Sequence, residues 1–137
     1  MKILPACIVL ALAASGTVAS AQMSPNDVAS FKASAGTYSA ACGKAGAARA
    51  IVTVDSITIE AGGKRRQGKA EMASHTSFGR NPPPKGYEDY QVELFSSVGN
   101  LYVMEGKAGK YVVFPERAAL EKHFGKGSLA GRFLRCA

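Results

Sequence analysis

From Thr37 onward the chain is written in short runs, TYSAAC, AIVTVD and SITIEA, that are rich in β-branched residues and partly alternate between apolar and polar. Runs of that length and period suit half-buried strands and are too short for helices. Gly62-Gly63 supplies the two positive φ angles of a tight hairpin turn into KRRQGKAEMAS. YQVELFS and LYVMEG then flank Val98-Gly99-Asn100, and KYVVF follows Lys107-Ala108-Gly109, so the strands read as a meander. Two helices are expected beside them. In SPNDVASFKASAG, Ser24 can cap, Pro25 suits the first helical position, Val28 and Phe31 share a face, and Gly36 ends the segment. After Phe114-Pro115, Leu120 and Phe124 lie four apart, Glu116 and Glu121 face outward, and Gly125 provides a stop. GRFLRCA closes the chain as a last strand. The fold expected is mainly β with a minor α component: a small antiparallel sheet curled toward a barrel, with one or two short helices.

The first residues, Met1–Ala21, belong to a different kind of signal. Lys2 gives a positive start, Ile3 to Ala14 an apolar run, and Ala19-Ser20-Ala21 a small-residue cleavage site, which together describe a secretory signal peptide. Leu4-Pro5-Ala6-Cys7 has almost no apolar region before its cysteine and is not read as a lipoprotein box. Residues 22–137 are then a single exported domain, periplasmic or secreted, with no transmembrane segment expected. Cleavage removes Cys7 and leaves Cys42 and Cys136, which in an oxidising compartment are expected to form a disulfide.

Losing Lys2 takes the formal charge from +7 to +6, spread from Lys32 to Arg135. Such a balance suits an anionic envelope component as partner, and serves solubility as well. The densest basic run is KRRQGK, in which Lys64, Arg65, Arg66 and Lys69 form a candidate basic surface. The same cations would also protect a strand edge from pairing with another chain. The run holds no aromatic residue for base stacking, so no specific nucleic acid is expected. A second candidate is FGRNPPPKGYEDY, where three prolines stiffen a connection that carries Arg80, Lys85, Tyr87 and Tyr90. Preorganised backbone with tyrosine and charge suits recognition of a protein partner, and the alternative is a rigid crossover whose tyrosines pack on the barrel.

Catalytic and metal-binding sets are thin. His75 and His123 are the histidines, and His75-Thr76-Ser77 would put imidazole and the neighbouring hydroxyl on opposite faces of a strand. Glu88-Asp89 is a lone acidic pair, and Gly125-Lys126-Gly127-Ser128 lacks the strand and helix that make a phosphate loop. No catalytic residue, metal site or cofactor is assigned, and the expected function is a non-enzymatic binding module; a small hydrolase built from residues distant in sequence is one alternative. Another comes from Gly99-Asn100-Leu101-Tyr102 and the Tyr102 to Lys107 spacing, taken with Tyr38, Cys42 and Cys136. Over about ten residues this resembles the periplasmic inhibitors of c-type lysozymes, whose motifs are Ser-Gly-x-x-Tyr and Tyr-x-x-x-x-Lys-Gly. Val98 stands in place of the serine, Ala108 in place of the second glycine, and Tyr102 serves both motifs. The resemblance implies lysozyme inhibition as the alternative function.

Overall fold

The computed structural model describes residues 22–75 and 89–137, with 89–91 described by backbone alone. The leader assigned to Met1–Ala21 lies outside the described residues. Eight strands follow one another around a closed antiparallel barrel: β1 (Gly36–Ser39), β2 (Arg49–Val52), β3 (Ser56–Ala61), β4 (Lys64–Ser74), β5 (Asp89–Ser96), β6 (Leu101–Gly106), β7 (Gly109–Val113) and β8 (Phe133–Arg135). Each strand pairs with the next in sequence, and β8 returns to β1 through Tyr38 opposite Arg135 and Ser39 opposite Leu134. The expected curled sheet therefore closes completely.

Two helices stopper the barrel. α1 (Pro25–Ser34) precedes the start of β1, and α2 (Arg117–Phe124) joins the end of β7 to β8, which puts them at opposite ends. At the start of α1 the Ser24 hydroxyl accepts from the Asp27 amide and the Asp27 carboxylate accepts from the Ser24 amide, both at 3.1 Å. This reciprocal pair satisfies two donors that a helix start otherwise leaves open. The second Asp27 oxygen accepts from the Ala73 amide of β4 at 3.0 Å, so one carboxylate both caps the helix and fastens it to the wall. Phe31, fully buried, drops from α1 into the core; Leu120 and Phe124 do so from α2. Between them Tyr38, Ile57, Ile59, Leu94, Leu101, Val103 and Val112 fill the interior, as side chains do in a barrel of this strand number.

Three local expectations are revised. β1 stops at Ser39 rather than reaching Cys42, because the Ser39 hydroxyl accepts from the Ala41 amide and donates to the Ala48 carbonyl, turning the chain out of the sheet. α1 ends at Ser34, and Gly36 already belongs to β1, where a Cβ would stand 2.9 Å from the Arg135 Nε. Glu121 does not face solvent. Its side chain is 9% exposed, and its carboxylate accepts from the Gly127 and Leu129 amides at 2.9 and 3.2 Å while Arg117 stands 3.4 Å away. The turn after α2 folds back onto it. Those bonds, the Gly127 amide first, hold the Glu121 carboxyl below the usual carboxylate range.

Gly62 and Gly63 have φ of 59° and 74°, the two left-handed residues that a tight hairpin needs. Cys42 and Cys136 are bonded with Cα atoms 5.5 Å apart across a sequence separation of 94. Closing that length of chain stabilises the fold by about 4 to 5 kcal/mol in the chain-entropy model. Among the described residues no helix is long and apolar enough to cross a membrane.

Candidate anion-binding groove

β3 alternates cleanly near its end. Ile59 and Ala61 face the core, so Glu60 between them faces out. The register sets Arg49 of β2 opposite Glu60 on one side and Arg65 of β4 opposite it on the other. The three side chains meet: Arg49 Nε donates to one Glu60 oxygen at 2.6 Å, and Arg65 Nε donates to the other at 3.2 Å. The Arg49 bond, then the charge of Arg49 and the bond and charge of Arg65, hold the Glu60 carboxyl below the usual range. The arginine side chains are 48% and 59% exposed and Glu60 25%, so the pairs contribute little to stability and much to orientation. Each guanidinium uses only Nε here. Its Nη amino groups have no partner among the described residues.

The triad lines a groove of about 750 Å³ on the outer face of β1 to β4. One wall is the hairpin end from Gly63 to Arg65. The opposite wall is the connection over residues 40–48, which turns at Gly43 and Gly46, with φ of 78° and 76°, and is held by the disulfide. The Lys44 ammonium has no partner among the described residues, and the Lys64 ammonium donates to the His123 carbonyl at 2.8 Å. Thr37 and Ser39 add hydroxyls, and the remaining lining is alanine, glycine and the two cysteines. No aromatic side chain of the described residues lines it, so it can take charge and hydrogen bonds but offers no stacking platform.

The basic run read from the sequence is split by the strand period. Arg65 and Lys69 share the outward face with Gln67, whereas Lys64 and Arg66 stand opposite the core-facing Ala61 and Ile59. Lys64 and Arg66 are nevertheless exposed, because pairing with β5 begins only at Ala70. Up to Lys69, β3 is the strand beside β4 in the described structure, which is the half-open edge that cations shield. Arg80, Lys85 and Tyr87 of the proline-rich connection lie outside the described residues. Tyr90 enters β5, where its backbone stands opposite Met104.

His75 meets Ser30 of α1: Ser30 Oγ lies 3.0 Å from His75 Nε2, beside a hollow that Lys110 also lines. The Ser30 hydroxyl also lies 3.0 Å from the Asn26 carbonyl, to which it donates when its oxygen accepts from the imidazole. His123 packs its ring edge-on against Phe124 at 4.8 Å. Among the described residues no three His, Cys, Asp or Glu side chains gather as a metal site would require. Of the inhibitor-like motif, Val98 is buried, Gly99 sits against Leu120, Tyr102 lies near the start of β6 and Lys107 in the turn just beyond its end.

Arg49 and Glu60 did not stand out in the sequence, since each is a single charge at the margin of an apolar run. The Glu60 to Arg65 pairing had a signal: a two-residue Gly62-Gly63 turn aligns Ala61 with Lys64 and hence Glu60 with Arg65. The Arg49 contact crosses an irregular connection and had none. Comparison with protein-family models, with curated proteins and with solved structures finds no match.

Proposed function

We propose that the chain is a non-enzymatic binding module of the periplasmic or secreted space whose partner is an anionic envelope component. The observation that carries this reading is the cationic groove: Arg49 and Arg65 held side by side by Glu60, with Lys44 bordering the same groove. A formal charge of +7 over the whole sequence adds long-range attraction for polyanions, and a disulfide suits an oxidising compartment. With the interior filled by side chains, binding falls to the outer surface and its grooves.

The test is titration of the protein without its leader against dextran sulfate and polyphosphate, repeated from about 50 to about 200 mM salt. Counterion release predicts that the logarithm of affinity falls linearly with the logarithm of salt. Absence of binding at the lowest salt would overturn the reading. So would turnover of a simple ester that is lost in a folded Ser30→Ala variant, because the Ser30–His75 contact would then belong to a hydrolase.

A further inference from the structure

We propose that Arg49 and Arg65 form a two-guanidinium seat for a tetrahedral oxyanion, a phosphate or sulfate ester carried on a linear polymer, and that Glu60 is the residue that positions them. The inference rests on the binding-module reading and assigns it a site and a ligand chemistry. β2 and β4 flank β3, so the backbones of Arg49 and Arg65 are about 10 Å apart at ordinary strand spacing. Their head groups nevertheless converge, because the two oxygens of one carboxylate accept both Nε hydrogens, at 2.6 and 3.2 Å. Two like charges brought that close repel, and the carboxylate between them offsets one.

What remains is a pair of planar forks whose Nη groups carry no partner among the described residues and which border the same groove. The shape of the pair selects its ligand. A carboxylate, with two oxygens in one plane, is satisfied by a single guanidinium in the bidentate mode. A phosphate or sulfate ester has further oxygens outside that plane and can accept from both forks at once. Lys44 borders the same groove, where a neighbouring charge of a chain-like ligand would pass; a lysine acts there as a point charge and leaves the geometric selection to the arginines. The lining of alanine, glycine and hydroxyl residues admits a narrow chain. Without an aromatic among the lining residues, a nucleic acid would be held only by its phosphates.

The sign of one substitution separates positioning from bulk charge. Glu60→Gln raises the net charge by one, so if charge alone governs binding, the variant binds polyanions more tightly. If Glu60 positions the guanidiniums, the variant binds more weakly in spite of that gain.

The experiment measures fluorescence anisotropy of labelled polyphosphate, dextran sulfate and polyglutamate against the native protein and four variants, Arg49→Gln, Arg65→Gln, Glu60→Gln and Lys122→Gln, each checked for a native thermal midpoint. Lys122 is an exposed helical cation outside the groove and serves as the charge-matched control. Polyphosphate and dextran sulfate are expected to bind at least about tenfold more tightly than polyglutamate, and each arginine substitution to cost about tenfold, the scale of one charge-assisted bond. Glu60→Gln is expected to weaken binding and Lys122→Gln to leave it nearly unchanged. Polyphosphate and dextran sulfate responding alike assigns tetrahedral oxyanions as the ligand, and a preference for one names its source. Equal binding of polyglutamate, equal losses from Lys122→Gln and the arginine variants, or tighter binding by Glu60→Gln each remove the groove site while leaving a charge-driven binding module. Failure of all three polymers to bind the native protein removes both.

Discussion

Tyr38 and Tyr111 are both buried tyrosines, yet their hydroxyls have opposite circumstances. Tyr38 donates to the Ser34 carbonyl at 2.7 Å, joining β1 to the end of α1. Burial pushes its phenol pKa up, in keeping with a hydroxyl that stays neutral and donates. The Tyr111 hydroxyl is buried without a hydrogen-bond partner among the described residues, although the Arg132 guanidinium lies 4.7 Å over its ring. Replacing each with phenylalanine should therefore have unequal effects. Tyr38→Phe is expected to destabilise by about 1 kcal/mol, the net worth of a hydrogen bond, whereas Tyr111→Phe should cost nothing or stabilise, since it removes an unsatisfied polar group. Urea unfolding midpoints decide this, and equal losses at the two sites would contradict the assignment. At this scale the sequence was least legible. Nothing in a tyrosine's neighbours states whether its hydroxyl will find a carbonyl, and nothing around Arg49 announces that Glu60 will be its partner. Both depend on which strands the turns bring together.

Elements were far more legible, for a physical reason. A strand's period and a glycine turn are written within a few residues, so the β2 to β4 run and the Gly62-Gly63 hairpin follow from local chemistry. The limits of elements depend on contacts made elsewhere. β1 ends early because of one serine hydroxyl, and the turn after α2 is set by Glu121 receiving amides from residues six and eight positions on. β4 shows the same dependence at Gly68. There the Ser97–Val98 turn between β5 and β6 presses against the strand, and a side chain would collide with the Val98 amide nitrogen and stand 2.8 Å from Ser97 Oγ. Ser97 takes over the ladder at this point, its hydroxyl accepting from the Lys69 amide at 3.0 Å and its own amide donating to the Lys69 carbonyl at 3.2 Å. Gly68→Ala is expected to destabilise by about 1 to 3 kcal/mol through overpacking, more than the slight change expected for alanine at an open strand position. A thermal midpoint equal to that of the native protein would show that the turn yields freely.

At the scale of the molecule, three carboxylates among the described residues tie elements together and are held below their usual range: Asp27 chiefly by the Ala73 amide, Glu60 chiefly by Arg49, and Glu121 chiefly by the Gly127 amide. A depressed folded-state pKa means that the unfolded chain binds protons more readily in acid. The contribution is therefore complete above the unfolded carboxylate range and is lost as pH falls through the lower folded values. Stability should be nearly level from about pH 7 to about pH 5 as far as these groups are concerned, and should decline below about pH 4. Denaturant midpoints across that range test the sign; a rise in stability on acidification would refute it. Barrel closure itself was only half legible. Two cysteines at the margins of the strand region implied that its ends meet, while complete pairing of β8 with β1 rests on the tilt and register of every strand between.

The bridge from Cys42 to Cys136 spans everything from β2 to β8, so seven of the eight strands belong to one covalent circle. A protease that cuts one connection inside that circle opens it into a line and frees no fragment; every strand remains attached, and the barrel can close again around the nick. Only a second cut, or a reductant, turns damage into loss. Endurance of that kind is a property of the topology and owes nothing to the depth of the free-energy minimum.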